Sequence, residues 1–297
     1  MRVTRGWTDL RALLLAVVWI PSVLWLDRSA DLPGQMALGA LTWGLLLWWL
    51  KHETPLVRMQ TAVVVVIAAF IELVFSGWLG VYVYRLDHVP AYVFPGHGLI
   101  YLAALTFARL PVVVRHRRLA VGLTVAVATA WAFWGLLLSE RQDVLGFFWY
   151  LCLLAFLRWG RSTLLYVGAF VMVSYLEILG TWWGVWEWMP RDTIMGWVAQ
   201  GNPPSIAAGG YGWFDLYAVL LAPALLERWY AWRSASAQRR DHRVVQEPVG
   251  GDAAPAVRAV DTVDAGEAAA GLGDHHRHAG HVVEVELGLG GDVDRAL

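Results

Sequence analysis

The sequence predicts an all-α, polytopic transmembrane helix bundle of about eight helices, built as two parallel four-helix repeats and followed by a disordered C-terminal tail. Three observations predict this fold class. Of the 297 residues, 58% are hydrophobic and only 16% are charged, whereas about a quarter of the residues in soluble domains are charged. Apolar runs of membrane-spanning length follow one another with short connections. Two of these runs also share a pattern of one acidic residue followed by glycine and paired aromatic residues.

The predicted helices follow from apolar runs of roughly 17 to 25 residues, the length that spans a bilayer. The first run follows several arginines but has no good cleavage site, so we expect a retained helix and not a signal peptide. The first half covers residues 1–114, the second half 115–232 and the tail 233–297, which lacks helical periodicity. The eight helices are predicted at 10–26, 33–50, 59–84, 96–114, 119–138, 144–157, 163–189 and 212–232.

The distribution of basic residues predicts the orientation of the chain. Both termini and every second loop carry most of the arginines, and loops of this kind usually face the cytoplasm. We therefore expect a multi-pass protein of the cell inner membrane with both termini cytoplasmic. The remaining loops hold only Arg28, Arg85, Arg141 and Arg191, each near an aspartate in the sequence: Asp27, Asp87, Asp143 and Asp192.

The composition excludes several functional classes. Lys51 is the only lysine, so no helix offers an amine for a retinal Schiff base. Cys152 is the only cysteine, which excludes disulfide bonds within the chain and cysteine metal sites. We predict no cofactor, no metal site and no nucleic-acid partner, and we expect membrane lipids as neighbours. A histidine cluster in the tail could bind a metal, but a disordered polar tail is the favoured interpretation. Its members are His275, His276, His278 and His281.

The repeat is predicted from two similar segments. Glu72 precedes Gly-Val-Tyr-Val-Tyr at 80–84, and Glu177 precedes Gly-Val-Trp-Glu-Trp at 184–188. Four helices per half give both copies the same orientation, as in parallel repeats. The alternative is a chance likeness between aromatic, glycine-rich segments. The helices that follow also begin with similar sequences, at residues 96–102 and 210–216.

Four ionisable residues are the candidate catalytic groups: Glu72, Glu177, His97 and Asp215. An ionisable side chain in a transmembrane helix costs about 2.5 to 3.5 kcal/mol and usually faces the bundle interior. All four lie in the outer half of the predicted bundle, so we expect them to converge on one layer. One carboxyl group could then act as an acid and its neighbour as a base. The structural alternatives are glutamates that are protonated or hydrogen-bonded to Ser76, Thr181 and indole N–H groups as links between the halves, a histidine that anchors a helix at the interface and an aspartate that caps a helix.

Candidate substrate-binding residues lie near these groups. Tyr101 follows His97 by one helical turn, and Trp186 belongs to the aromatic residues at the outer helix ends, most of which an interfacial belt would explain. Asn202 and Tyr211 lie in the long connection 190–211, which contains prolines and small residues. Long connections are often lids or binding loops. We expect a partly re-entrant cover over an outward-facing cavity, with a plain surface loop as the alternative.

The seventh predicted helix resembles the acid-bearing helix of membrane-bound carotenoid hydratases. The residues that carry this resemblance are Glu177, Gly180, Thr181, Gly184, Trp186 and Trp188. More loosely, the tandem acidic pattern is similar to carotenoid cyclases built from duplicated membrane domains. The resemblance covers about one helix per half and implies acid-initiated addition or cyclisation on a polyene, with Glu72 and Glu177 as the acids. The segments 96–98 and 202–205 look more like uncharacterised polytopic membrane proteins of high-GC bacteria, a resemblance that implies no activity.

Three functional hypotheses follow from these patterns. The leading one is a membrane-embedded enzyme that uses acid/base chemistry on a lipid or isoprenoid, with an apolar small molecule as substrate. The second is a small-molecule or proton-coupled transporter, because parallel repeats and buried carboxylates also occur in transporters. The third is a structural membrane protein without catalysis.

Overall fold

The computed structural model of the chain describes residues 3–246, which fold almost entirely into helices. All eight predicted segments contain a helix, and five helices are long and apolar enough to cross a membrane. The all-α membrane bundle is therefore confirmed, whereas the two-repeat organisation and the boundary at residue 114 stay predictions. The helices are α1 (Val3–Asp27), α2 (Leu32–Leu50), α3 (Pro55–Glu72), α4 (Val93–Arg109), α5 (Pro111–Arg115), α6 (Arg117–Leu137), α7 (Val144–Trp159), α8 (Thr163–Trp182) and α9 (Ala208–Gln246).

The third and seventh predicted helices end earlier than expected. α3 continues as a π-helical segment, Leu73–Trp78, and α8 ends at Trp182. Gly80 and Gly184 follow with φ angles of +60° and +67°, a left-handed conformation that glycine adopts without steric cost and that commonly terminates helices. The predicted extensions to residues 84 and 189 are therefore wrong.

The residues after these glycines form two short strands, β1 (Tyr82–Tyr84) and β2 (Trp186–Trp188). They pair antiparallel, with Tyr82 opposite Trp188 and Tyr84 opposite Trp186. Because side chains alternate along a strand, these four aromatic side chains share one face of the pair. We call the end of the bundle that carries β1 and β2 the hairpin end.

Two further helix boundaries differ from the predictions. The fourth helix breaks at Leu110, because Pro111 disfavours a helical conformation in the residue before it. The last helix begins at Ala208 and continues to Gln246, past the predicted helix end at residue 232. The rest of the predicted tail, including its histidine cluster, lies outside the described residues.

α4 lies at the centre of the bundle and packs against α1, α2, α3 and α8. Most of its side chains are buried. A side chain at Gly168 of α8 would come within 2.3 Å of the Ala104 carbonyl oxygen, so small residues allow the two backbones to approach closely, as is common between membrane helices. This packing carries the first turns of α4, including His97, into the interior at the hairpin end.

Candidate functional site

A cavity of about 410 Å³ opens at the hairpin end of the bundle. Its volume lies in the range of small-molecule pockets in proteins. Residues of both strands and of α1, α2, α3, α4, α7, α8 and α9 form its walls, and most of the lining side chains are apolar or aromatic. The polar residues that reach it include Thr42, Glu72, Tyr84, Tyr92, His97, Glu177, Asp192, Gln200 and Tyr211.

Glu72 is the last residue of α3 and is 4% exposed. The π-helical segment begins at the next residue, and such segments often occur at functional sites because they change the direction of the side chains. The Tyr84 hydroxyl donates a hydrogen bond of 3.0 Å to Oε2 of Glu72. Burial raises the pKa of Tyr84, so its hydroxyl keeps the proton that it donates. Strand β1 therefore supplies a partner to the acid of the helix that precedes it.

His97 approaches the second oxygen of Glu72. The distance between Nε2 of His97 and Oε1 of Glu72 is 3.4 Å, and both side chains are buried. Nδ1 of His97 lies 3.0 Å from the Val93 carbonyl oxygen. Because a carbonyl oxygen only accepts hydrogen bonds, Nδ1 carries a hydrogen, and Nε2 of the neutral ring is an acceptor. One proton can therefore be shared between Glu72 and His97.

Glu177 of α8 is surrounded by hydrogen-bond donors. The indole N–H groups of Trp186 and Trp188 donate to Oε2 at 3.0 and 3.2 Å, and the Tyr211 hydroxyl donates to Oε1 at 3.5 Å. An indole nitrogen can only donate. Strand β2 thus supplies hydrogen-bond donors to Glu177, as β1 supplies one to Glu72. The three donors stabilise a negative charge on Glu177.

His97 and Tyr211 connect the two acidic groups. Their rings stack with centroids 5.3 Å apart and planes 11° from parallel. His97 contacts Glu72, and Tyr211 is bonded to Glu177. Glu72 and Glu177 therefore belong to one network around a single cavity, although they lie far apart in the sequence.

Gly180 allows Trp186 to reach Glu177. It lies one turn after Glu177 on α8, and a methyl group at Gly180 would come within 1.9 Å of the Trp186 ring. The six-membered ring of the indole thus lies directly against the backbone of Gly180. No larger residue leaves room for the ring in this position.

We expect Gly180→Ala to destabilise the protein by about 1–3 kcal/mol, the usual cost of an extra methyl group in a packed interior. The Trp186 ring must move, which removes its hydrogen bond to Glu177. The thermal unfolding midpoint measures the effect. Gly122→Ala is the matched control, since Gly122 of α6 has no neighbouring atoms within 4 Å of an added methyl group. Equal midpoints for the two variants would contradict the close contact.

Three predicted site residues lie away from the glutamates. Asp215 and Tyr101 are buried but do not line the cavity. They lie close enough to interact electrostatically with each other, and neither Oδ2 of Asp215 nor the Tyr101 hydroxyl has a hydrogen-bond partner within residues 3–246. Asn202 is instead bonded to strand β2, because its Oδ1 accepts a 3.0 Å hydrogen bond from the Trp188 backbone N–H.

The sequence indicated indole N–H groups as partners of the glutamates without naming Trp188, and it did not identify Tyr84 as a partner. Most of the aromatic residues at the outer helix ends were assigned to an interfacial belt, a position that suits the strongly exposed Trp78 and Trp182. The signal that could have separated them is the period-two spacing of aromatic residues after a glycine, which is typical of a strand. Their strand geometry turns these side chains towards the glutamates.

The connection between β2 and α9 covers the cavity. Ile194, Met195 and Val198 line it, and the Thr193 hydroxyl donates a 2.6 Å bond to the Leu79 carbonyl oxygen beside β1. The carboxylate of Asp192 stabilises the turn at residues 192–198, because it accepts hydrogen bonds from the backbone N–H groups of Met195 and nearby residues. These hydrogen bonds lower the pKa of Asp192. We call residues 190–207 the cover loop.

Within residues 3–246, no group of three or more His, Cys, Asp or Glu side chains is placed to hold a metal ion. Comparisons with protein-family models, curated proteins and solved structures found no match for this chain.

Proposed function

We propose that this membrane protein is an enzyme that applies acid/base chemistry to an apolar, isoprenoid-like lipid. The observation that carries the proposal is the pair of buried glutamates with unlike partners in one aromatic-lined cavity. Glu72 shares a proton with His97, whereas Glu177 accepts hydrogen bonds from three donors. Two carboxyl groups in unlike surroundings can divide the roles of acid and base between them.

The first step is protonation of an alkene. Glu72 gives its proton to one alkene carbon, which forms a C–H bond and leaves a carbocation on the neighbouring carbon. The rings of Tyr82 and Trp188, 4.6 Å apart between centroids, line the cavity. Aromatic faces attract cations, and a carboxylate at Glu177 adds electrostatic stabilisation of the cation.

The second step removes a proton. If water adds to the carbocation, Glu177 accepts the proton that the water releases, and the product is a tertiary alcohol. If an internal alkene attacks instead, a ring forms and Glu177 accepts a proton from carbon. The cycle closes when Glu177 releases the proton that it accepted and Glu72 takes up a proton, which can pass through Nε2 of His97, the nitrogen that faces Glu72.

The cavity and its cover loop suit an apolar substrate that arrives from the bilayer. We place the hairpin end at the extracytoplasmic side of the inner membrane, with both termini cytoplasmic, on the basis of the arginine distribution. The resemblance of α8 to the acid-bearing helix of carotenoid hydratases supports the same chemistry. Two residues of that pattern act on Glu177: the Trp186 indole donates a hydrogen bond to it, and Gly180 leaves room for the indole.

Lipid analysis of a deletion strain tests this proposal. We expect an altered isoprenoid fraction that a plasmid with the wild-type chain restores. A plasmid with Glu72→Gln should leave the fraction altered while the protein is still found in the membrane. An unchanged lipid fraction in the deletion strain would overturn the enzyme proposal.

A proton-coupled transporter is the second candidate. Asp215 and Tyr101 favour it, because they are buried polar groups outside the cavity and such groups often mark proton pathways in membrane proteins. A solute-uptake defect in the deletion strain, with unchanged lipids, would favour this candidate over the enzyme.

A further inference from the structure

Glu177 lines the cavity without a positively charged partner. It is 4% exposed, and the groups that hydrogen-bond to its carboxyl group are the neutral side chains of Trp186, Trp188 and Tyr211. Within residues 3–246, no arginine, lysine or histidine forms an ion pair with Glu177. A buried charge without a counter-charge is costly, so a carboxylate at this position favours a positive ligand.

Other buried acids of the chain differ from Glu177 in this respect. Oε2 of Glu53 lies 3.2 Å from Nη1 of Arg109. Oε1 of Glu72 lies 3.4 Å from Nε2 of His97, and this pair is neutral as a whole because it shares one proton. The negative charge that remains for a ligand in the cavity therefore belongs to Glu177.

The other lining residues leave this charge unbalanced. No lysine or arginine of the described chain lines the cavity. The remaining acid, Asp192, accepts hydrogen bonds from backbone N–H groups of the cover loop. An anionic ligand would meet the repulsion of Glu177 with no basic side chain to offset it, whereas a cation would be attracted.

The aromatic walls suit the same charge. The face of an aromatic ring attracts a cation, and the attraction is stronger where water is excluded. Aromatic residues from α1, both strands, α7 and α9 line the cavity, among them Trp19, Tyr82, Trp149, Trp188, Tyr211 and Phe214. Their rings also provide the apolar surface that a hydrocarbon chain requires.

The hydrogen bonds of Glu177 indicate which kind of cation fits. Its Oε2 accepts two indole N–H groups, at 3.0 and 3.2 Å, whereas Oε1 accepts only the Tyr211 hydroxyl at 3.5 Å. A carboxylate oxygen can accept two hydrogen bonds, so Oε1 has capacity for a further donor. A protonated amine supplies both the positive charge and the N–H group.

We propose that the cavity binds single-chain lipophilic amines as ammonium ions, with the ammonium N–H on Oε1 of Glu177 and the apolar chain against the aromatic walls. The inference goes beyond the proposed function, because binding requires no reaction. A bound amine would occupy the space of the isoprenoid-like substrate, and only this competition rests on the proposed function.

Equilibrium binding of tritiated N,N-dimethyldodecylamine to the full-length chain in phosphatidylcholine nanodiscs tests the proposal. This tertiary amine is protonated at neutral pH and carries one N–H. Binding to empty nanodiscs is subtracted. Dodecan-1-ol and dodecyl phosphate are the competitors, since they have the same chain and differ only in the head. We expect saturable binding of the amine that neither competitor displaces at equal mole fraction in the bilayer.

Glu177→Gln assigns the binding to the carboxylate. It should weaken amine binding about tenfold or more, as expected for loss of a hydrogen bond to a charged group. The fold should survive, because the amide oxygen can accept from both indoles and the amide N–H can donate to the Tyr211 hydroxyl. Glu187→Gln, the same change on the exposed side of β2, is the control and should leave binding unchanged.

A pair of Tyr82 variants tests the contribution of an aromatic wall. Tyr82→Leu removes the ring and should weaken amine binding several-fold. Tyr82→Phe keeps the ring and should bind like the wild-type chain. If Glu177→Gln does not accumulate in the membrane, this pair decides the proposal, because equal amine binding by the two Tyr82 variants would contradict a cation held by the rings.

Three further results would overturn the inference: displacement of the amine by dodecan-1-ol at equal mole fraction, tighter binding of dodecyl phosphate, or wild-type amine binding by Glu177→Gln. The lipid analysis of the deletion strain separates this inference from the proposed function. Amine binding together with an unchanged lipid fraction would leave the amine site standing and end the enzyme proposal. An altered lipid fraction without amine binding would do the reverse.

Discussion

Glu72→Gln is expected to lower activity by about 10²- to 10⁴-fold, the usual contribution of a positioned acid or base. The amide has the size of the carboxyl group but cannot transfer a proton to substrate. The fold should survive, because the amide oxygen can still accept from Tyr84 and the amide N–H can donate to Nε2 of His97. The measurement is the level of the affected isoprenoid in the complemented deletion strain, with the amount of membrane-inserted protein determined in parallel.

Glu187→Gln is the matched control for this variant. Glu187 lies on β2 between Trp186 and Trp188, but its side chain points to the exposed face and lies 3.9 Å from Arg141. The same chemical change there should leave activity unchanged. Full activity of Glu72→Gln at normal protein levels would show that Glu72 is a structural residue.

Asp143→Ala is expected to cause the largest loss of stability among single substitutions of the cover loop and its supports. The Asp143 carboxylate is 2% exposed and accepts backbone N–H bonds from Gly146 at 2.8 Å, Gly201 at 2.8 Å and Ser205 at 2.5 Å. Its removal leaves three buried donors unsatisfied, each at about 1–3 kcal/mol. We therefore expect a loss of about 3 kcal/mol or more.

The thermal unfolding midpoint and the rate of proteolysis within the cover loop measure this effect. The loop should be cleaved faster, because Asp143 ties residues 201–205 to the start of α7. Glu140→Ala, an exposed substitution in the same connection, is the control. If Asp143→Ala unfolds at the same temperature as Glu140→Ala, the carboxylate does not hold the loop.

The membrane helices were predictable because hydrocarbon requires long apolar runs, which a single sequence displays directly. The ends of α3 and α8 were missed because apolar composition continues through β1 and β2. Only the glycine conformations at Gly80 and Gly184 stop the helices. Composition therefore identifies a span more reliably than it identifies where the span ends.

The acids of the site were predictable because a glutamate within an apolar membrane helix is costly to insert and usually faces the interior of the bundle. The particular side chains that partner them were not, because Tyr84 and Trp188 reach the acids only through pairing of two strands about a hundred residues apart in the chain. The ion pair of Asp27 was also hidden. Asp27 has Arg28 beside it in the sequence, yet it approaches Arg85 in the folded chain.

The repeat hypothesis gives a reason for the architecture of the site. Each acid-bearing helix leads through a glycine into a strand that supplies hydrogen-bond donors to that acid, and the two strands pair with each other. The loops that follow differ in length, and only the second is long enough to form a cover. We expect a duplicated unit to diverge first in such loops, because they tolerate insertion better than packed helices do.

A double-mutant cycle on isoprenoid formation tests most directly whether Glu72 and Glu177 act as one unit. Residues that act together lose activity non-additively. We predict that Glu72→Gln, Glu177→Gln and the double variant all fail to restore the lipid product, with the double variant no worse than the more damaging single one. Losses that multiply, or a single variant that keeps full activity, would contradict a shared site.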